Sequence, residues 1–251
     1  MSGVLPAMTA VPAAPILEAR GVTKRFGGFT ALSGVDIALA PAERLALIGP
    51  NGSGKSTFVN CLTGAFGVDE GTISFDGSDI GRLAAWQRAR RGLVRSFQIP
   101  RPFRRLSVIE NIQVPIRFAL TEVPVGGSER RALEVLESIG LGAKAHASPK
   151  ELSQVELRKL ELGRALAANP RVLIADEAMA GLSDAEVDEI LDVLERLNAE
   201  GIAIILIEHI MRAVMRFAQR IVVLVAGQKI ADGDPAEVMR HEDVVRAYLG
   251  Q

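Results

Sequence analysis

The stretch Arg44-Leu45-Ala46-Leu47-Ile48-Gly49-Pro50-Asn51-Gly52-Ser53-Gly54-Lys55-Ser56-Thr57 decides the fold. Its first five residues read as a short buried strand, and the segment following the glycines reads as a helix through Leu62. The spacing Gly49-x-x-x-x-Gly54-Lys55-Ser56 is that of a phosphate-binding loop. Glycines let the backbone curl until successive N–H groups face an anion at a helix N-terminus. In that reading Lys55 reaches the β and γ phosphates, the Ser56 hydroxyl ligates Mg²⁺, and Pro50, Asn51, Gly52, Ser53 and Thr57 complete the cradle.

Outward from this loop, apolar stretches of strand length alternate with helical ones, the pattern of a sheet covered by helices. Val172 to Ala175 and Ile202 to Ile207 predict parallel strands buried on both faces. Between them, Val187, Ile190, Leu191, Leu194 and Leu197 repeat at helical spacing within Asp184 to Asn198 and predict a core-facing stripe. Residues 107 to 168 are helical by pattern and free of convincing strands, and read as an insertion in the α/β core. The strand from Val172 ends in Asp176-Glu177, two carboxylates at the edge where open α/β sheets bind ligands. Acids at a strand end are more often caps or ion-pair partners, but with a phosphate loop in the same chain one can hold a metal's water shell while its neighbour polarises water. The strand from Ile202 ends in Glu208-His209, where an imidazole could hydrogen-bond a phosphate or that water. His146 and His241 have no such context and read as surface residues.

Composition sets bounds. The 251 residues are 48% apolar, 24% charged and 4% aromatic with net charge −1, an ordinary globular balance that excludes collagen-like, disordered and disulfide-scaffold classes. Nothing in it argues for a nucleic-acid partner. Cys61, the single cysteine, has no internal disulfide partner. The longest apolar runs, Ile202–Ile207 and Ile221–Ala226, are far short of the roughly 20 residues of a spanning helix. Residues 1–15 carry three prolines and no charge, lack the basic start of a secretory signal, and read as a flexible tail.

From about Ile16 to Gly250 the order of motifs resembles the ATP-binding subunits of ABC transporters. The resemblance implies an α/β fold with a P-loop NTPase (RecA-like) core of mostly parallel sheet, antiparallel strands at its N-terminal side, and a helical subdomain at about 99–168 inside a domain spanning 16–251. It implies ATP and Mg²⁺ as cofactors. Phe26 in VTKRFGG would stack on adenine, Gln98 in RSFQ would touch Mg²⁺ and sense a membrane partner, and Asp176 would serve the metal. Glu177 and His209 would be the catalytic pair, His209 as switch histidine. RSFQ, VIENI, IEHIM and HEDVVRAYLG look like the subunit serving branched-chain or hydrophobic amino-acid importers, to which amide and urea importers are similar. The implied partners are polytopic membrane permease subunits, a second ATP-binding subunit and, indirectly, a solute-binding protein. The implied location is peripheral, on the cytoplasmic face of the inner membrane.

Two departures stand out. Where the family shows Leu-Ser-Gly-Gly-Gln or a near variant, this chain has Leu152-Ser153-Gln154-Val155-Glu156, then the expected Arg158-Lys159-Leu160-Glu161. In the family this segment caps the γ-phosphate held by the opposite subunit. Ser153 is kept, but Val155 is expected to obstruct close approach and Glu156 to add a negative charge near the triphosphate. A heterodimer with an intact partner signature is therefore favoured over a homodimer. After Glu177, Ala178 stands in place of proline. Permease docking is expected after Gln98, where Arg95, Arg101, Arg104 and Arg105 lie among Pro100, Pro102 and Phe103. Other classes fit less well. A soluble ABC-type ATPase of DNA repair or translation needs long insertions or tandem cassettes. A GTPase needs an Asn-Lys-x-Asp motif that is absent here, and the acceptor pocket of a small-molecule kinase is neither shown nor excluded by sequence.

Overall fold

A computed structural model describes residues 14–97, 99–120 and 127–249. Residues 1–13 of the expected tail at 1–15, and Gln98, lie outside the described residues. The chain opens with two long strands, β1 (Leu17–Phe26) and β2 (Phe29–Leu39), then enters β3 (Arg44–Ile48), the glycine-rich turn and α1 (Lys55–Thr63). A hairpin of β4 (Glu70–Phe75) and β5 (Ser78–Asp79) precedes the short helix α2 (Ala85–Arg90) and β6 (Leu93–Ser96). Three helices follow, α3 (Val108–Ala119), α4 (Gly127–Ser138) and α5 (Gln154–Leu166). Then come β7 (Val172–Asp176), α6 (Asp184–Ala199), β8 (Ala203–Ile207), α7 (Met211–Phe217), β9 (Arg220–Val225), β10 (Gln228–Gly233), α8 (Pro235–Val238) and α9 (Glu242–Leu249).

Two sheets result. The larger runs β10-β9-β3-β8-β7-β6, parallel throughout except for the antiparallel edge pair β10–β9. The smaller is antiparallel in the order β2-β1-β4-β5. Strands β7 and β8 are buried at every position, as their unbroken apolar runs predict. Alternate residues serve opposite faces: Leu173, Ala175, Ile204 and Leu206 join the cluster under α5 and α6. Val172, Ile174, Ala203, Ile205 and Ile207 join the one shared with α1 and the antiparallel sheet. The stripe Val187, Ile190, Leu191, Leu194 and Leu197 on α6 is fully in the core, and Glu186 caps that helix by accepting from the Ser183 amide at 2.9 Å.

Among the described residues, 107–168 hold helices and no strand, and their apolar side chains belong to the same cluster as α6, so this segment and the sheet share one continuous core. Its first helix starts at a capping box in which Glu110 accepts from the Ser107 amide at 2.6 Å. Buried Asn111 then fixes the preceding loop, donating to the Ser107 carbonyl at 2.8 Å and accepting from the Phe103 amide at 2.7 Å. Strand β6 is not foreseen from the sequence. Leu93-Val-Arg-Ser96 is only four residues long and carries an arginine, so it lacks an apolar run. Among the described residues no helix is long and apolar enough to cross a membrane.

Ile190 is completely buried between α6 and the sheet. Ile190→Ala is expected to lower unfolding stability by about 2–5 kcal/mol with an unchanged denaturant slope, read from urea titrations.

Candidate functional site

The turn after β3 is shaped by contacts that only glycine tolerates. At Gly49 (φ 151°) an added Cβ would lie 2.1 Å from the Leu224 carbonyl oxygen, and at Gly54 (φ 104°) it would lie 2.9 Å from that of Ala31. The backbone is thereby pressed onto its neighbours, and the loop opens onto a cavity of about 320 Å³ lined by Asn51, Gly52, Ser53, Gly54, Lys55, Ser56 and Thr57. Lys55 Nζ donates to the carbonyls of Gly49 at 2.7 Å and Pro50 at 3.0 Å. Burial holds its pKa below the ordinary lysine value, against the opposing pull of Glu177 and Asp176. The ammonium therefore points into its own loop.

Glu177 lines this cavity and also an adjoining one of about 650 Å³ with Ser56, Asn60, Arg95 and Asp176. The expected loop and the two expected acids thus converge, because β8 alone separates β3 from β7. Glu177 occupies the left-handed region (φ 45°), its amide donating to the Ile207 carbonyl at 2.9 Å, which turns the chain out of the sheet at the strand end. Ser56 and Asp176 offer oxygen donors only, which suits Mg²⁺.

Other expected residues are placed less directly. Phe26 lines neither cavity and stacks edge-on against Phe66, with ring centroids 5.4 Å apart. Its cross-strand partner Phe29, 65% exposed, lines the cavity at the loop instead. His209 sits at the same sheet edge with its imidazole 65% exposed and lines neither cavity. His146 and His241 are exposed, as expected. Ser153 caps α5, its Oγ accepting from the Glu156 amide at 3.3 Å, and lines neither cavity.

The structure corrects three expectations. Val155 does not stand out from the signature as an obstruction, because its side chain is buried in the core cluster with α3 and α4. Glu156 is not a free negative charge. It accepts from the Ser153 amide at 2.8 Å and pairs with Lys144 at 2.6 Å, and the Lys144 contact is the main cause holding its pKa below the ordinary carboxylate value. Arg95 is no part of the loop expected to dock a membrane partner: it belongs to β6 and pairs with Asp176. The loop itself is held by Asn111 and by Arg164, which donates to the Arg101 carbonyl at 2.9 Å and covers the Phe103 ring. It borders a groove of about 330 Å³ lined by Pro100, Pro102 and Arg104.

A residue that sequence reasoning passed over is Glu208. Its side chain is completely buried and accepts from the Met179 amide at 2.9 Å and the His209 amide at 3.3 Å, tying the segment after Glu177 to the end of β8. The signal was an acid closing an entirely apolar strand.

Fold and site together define a nucleotide-hydrolysing cassette built on a phosphate-binding loop. Residues 32–180 match the ABC transporter family model, and residues 228–251 match that of the branched-chain amino acid ATP-binding cassette transporter. The chain is 38% identical to the high-affinity branched-chain amino acid transport ATP-binding proteins BraF of Pseudomonas aeruginosa and LivG of Escherichia coli, each alignment covering 94% of this chain and 98% of the relative. A nucleotide-free ATP-binding cassette from an ABC transporter superposes with a TM-score of 0.86 at 31% identity, covering 94% of this chain and all of that one. The ADP conformation of the cassette MJ1267 gives 0.85 at 31%, covering 95% of this chain and all of that one. The chain belongs to the ABC transporter family as an ATP-binding cassette, an ATPase.

Burial raises the pKa of Glu208 above the ordinary carboxylate value, against the two amides that favour its charge. The unfolded chain then ionises first, so the stability this group contributes at acid pH is lost as pH rises through its folded pKa. Glu208→Gln is expected to flatten that loss, measured as the wild-type-minus-variant difference in urea midpoint between about pH 5 and about pH 8.

Proposed function

We propose that this chain powers import of branched-chain or other hydrophobic amino acids, as a peripheral subunit on the cytoplasmic face of the inner membrane docked to polytopic permeases. The observation that carries the catalytic reading is the meeting of Ser56, Asp176 and Glu177 in one cavity beside the phosphate loop. The solute class rests on 38% identity with BraF and LivG along almost the whole chain, and on the C-terminal match.

In this reading the amides of residues 51–57 hold the β and γ phosphates, and Lys55 turns from its own carbonyls to them. Ser56 and Asp176, with Gln98, hold Mg²⁺, which when bound neutralises charge on the phosphate oxygens. Glu177, fixed at the strand end by its backbone, accepts a proton from the attacking water, and His209 swings in from solvent to the γ-phosphate. Phe26 and Phe29 on the β1–β2 hairpin offer aromatic faces to the adenine. Ser153 and the N-terminus of α5 serve the nucleotide of a second ATP-binding subunit, since they face neither cavity of their own chain. With Val155 packed inward and Glu156 neutralised, the impairment of that contact is partial, and pairing with an intact second cassette remains favoured. Residues 99–168 act as the subdomain that carries this signature, and Arg101, Phe103, Arg104 and Arg105 meet the permease. A solute-binding protein delivers the amino acid from the other side.

Lys55→Ala is expected to weaken nucleotide binding by roughly tenfold to a hundredfold, measured with a fluorescent ATP analogue. Glu177→Gln is expected to bind normally and lower phosphate release by about 10²- to 10⁴-fold. Wild-type turnover in Glu177→Gln would remove it from the chemistry. In the assembled complex, leucine uptake that ceases with Lys55→Ala supports the solute class, and uptake of urea alone overturns it. Site-resolved hydrolysis in that complex is expected to be slower where this chain supplies the signature, and equal rates would reject the asymmetry.

A further inference from the structure

The cavity beside Asp176 holds a cation that the proposed chemistry leaves without a role. From β6, Arg95 reaches across the end of β7, its Nε donating to Asp176 Oδ2 at 3.1 Å and its Nη2 to the same oxygen, while Nη1 donates to Asn60 Oδ1 at 2.7 Å. The two charged side chains are 17% and 9% exposed. A charge-assisted pair this sheltered from water is far stronger than a surface ion pair, and removing one partner strands the other charge. Asn60 lies one helical turn beyond Ser56 on α1, so the guanidinium is anchored to the helix that carries the other metal-side oxygen. The carboxylate that faces the metal is therefore already held by a fixed monocation.

We propose that Arg95 is a positioning residue that acts as the resident counter-charge of the metal site. It keeps Asp176 ordered while no metal is present and makes metal entry conditional on nucleotide. The inference rests on the reading of Asp176 as a metal-side group. A divalent ion and a guanidinium cannot crowd one carboxylate oxygen without mutual repulsion. Metal alone meets the repulsion of Arg95 with one carboxylate in return, whereas metal arriving with a triphosphate brings the negative charge that offsets it. Asn60 keeps the guanidinium beside Asp176 throughout.

The test uses the full chain with two readouts: Mn²⁺ binding without nucleotide, followed by electron paramagnetic resonance, and the ratio of fluorescent-ATP affinities in Mg²⁺ and in EDTA. Wild type is expected to take up no Mn²⁺ without nucleotide. Arg95→Met should bind Mn²⁺ alone and shrink the Mg²⁺ advantage by roughly tenfold or more, the weight of a charged hydrogen bond, because metal that no longer waits for nucleotide strengthens nucleotide binding less in return. Arg95→Lys, which keeps the charge, should stay near wild type. Asn60→Ala keeps the pair but frees its anchor and should shift both readouts in the direction of Arg95→Met by a smaller factor, which keeps the idea testable if Arg95→Met does not fold. An unchanged or larger Mg²⁺ advantage in Arg95→Met, or in Asn60→Ala where only that variant folds, would overturn it. Asp176→Asn separates the two readings. If it leaves the Mg²⁺ advantage intact, the metal reading of Asp176 fails. If it removes the advantage while the Arg95 and Asn60 variants change nothing, only the role of Arg95 is lost.

Discussion

The placement of β8 between β3 and β7 is the constraint on which the rest of this molecule depends. Parallel pairing sets Leu47 level with Ile207, and Ile207 level with Asp176, so the loop leaving β3 and the acids leaving β7 are two strand spacings apart, roughly 10 Å. That gap admits a phosphate chain with its metal between an amide-lined turn and a pair of carboxylates. It is held by strands whose every residue is buried, so the active-site span is set by the least deformable part of the core.

Much of this was legible in the sequence where a single physical cause acts locally. The glycine spacing of residues 49–56 reports a backbone that must curl, and the unbroken apolar runs of β7 and β8 report strands covered on both faces. The stripe on α6 reports one helix face meeting the sheet. What escaped depends on neighbours distant in the chain. Arg95 reads as one of a group of loop arginines until β6 pairs with β7 and carries it to Asp176. Val155 reads as an obstruction until α5 turns this position into the core cluster. Glu208 closes an apolar strand, and its tie to the Met179 amide exists only once two loops meet.

The altered signature shows how a change in residue type is absorbed by local structure. Glu156 occupies the third position of α5, where a carboxylate can reach back to the capping residue's amide, and Lys144 from the preceding turn completes its compensation. The carboxylate that stands where the family has glutamine is thus taken up by the start of its own helix.

Backbone geometry at position 177 limits how any replacement there should be interpreted. An L-residue in the left-handed region is under steric load, heaviest for branched side chains such as valine or threonine. Exchanging this acid for a β-branched residue would deform the strand end as well as delete a carboxylate, so lost turnover would mix misfolding with missing chemistry. Only unbranched, similarly sized replacements isolate the carboxylate from the scaffold that presents it.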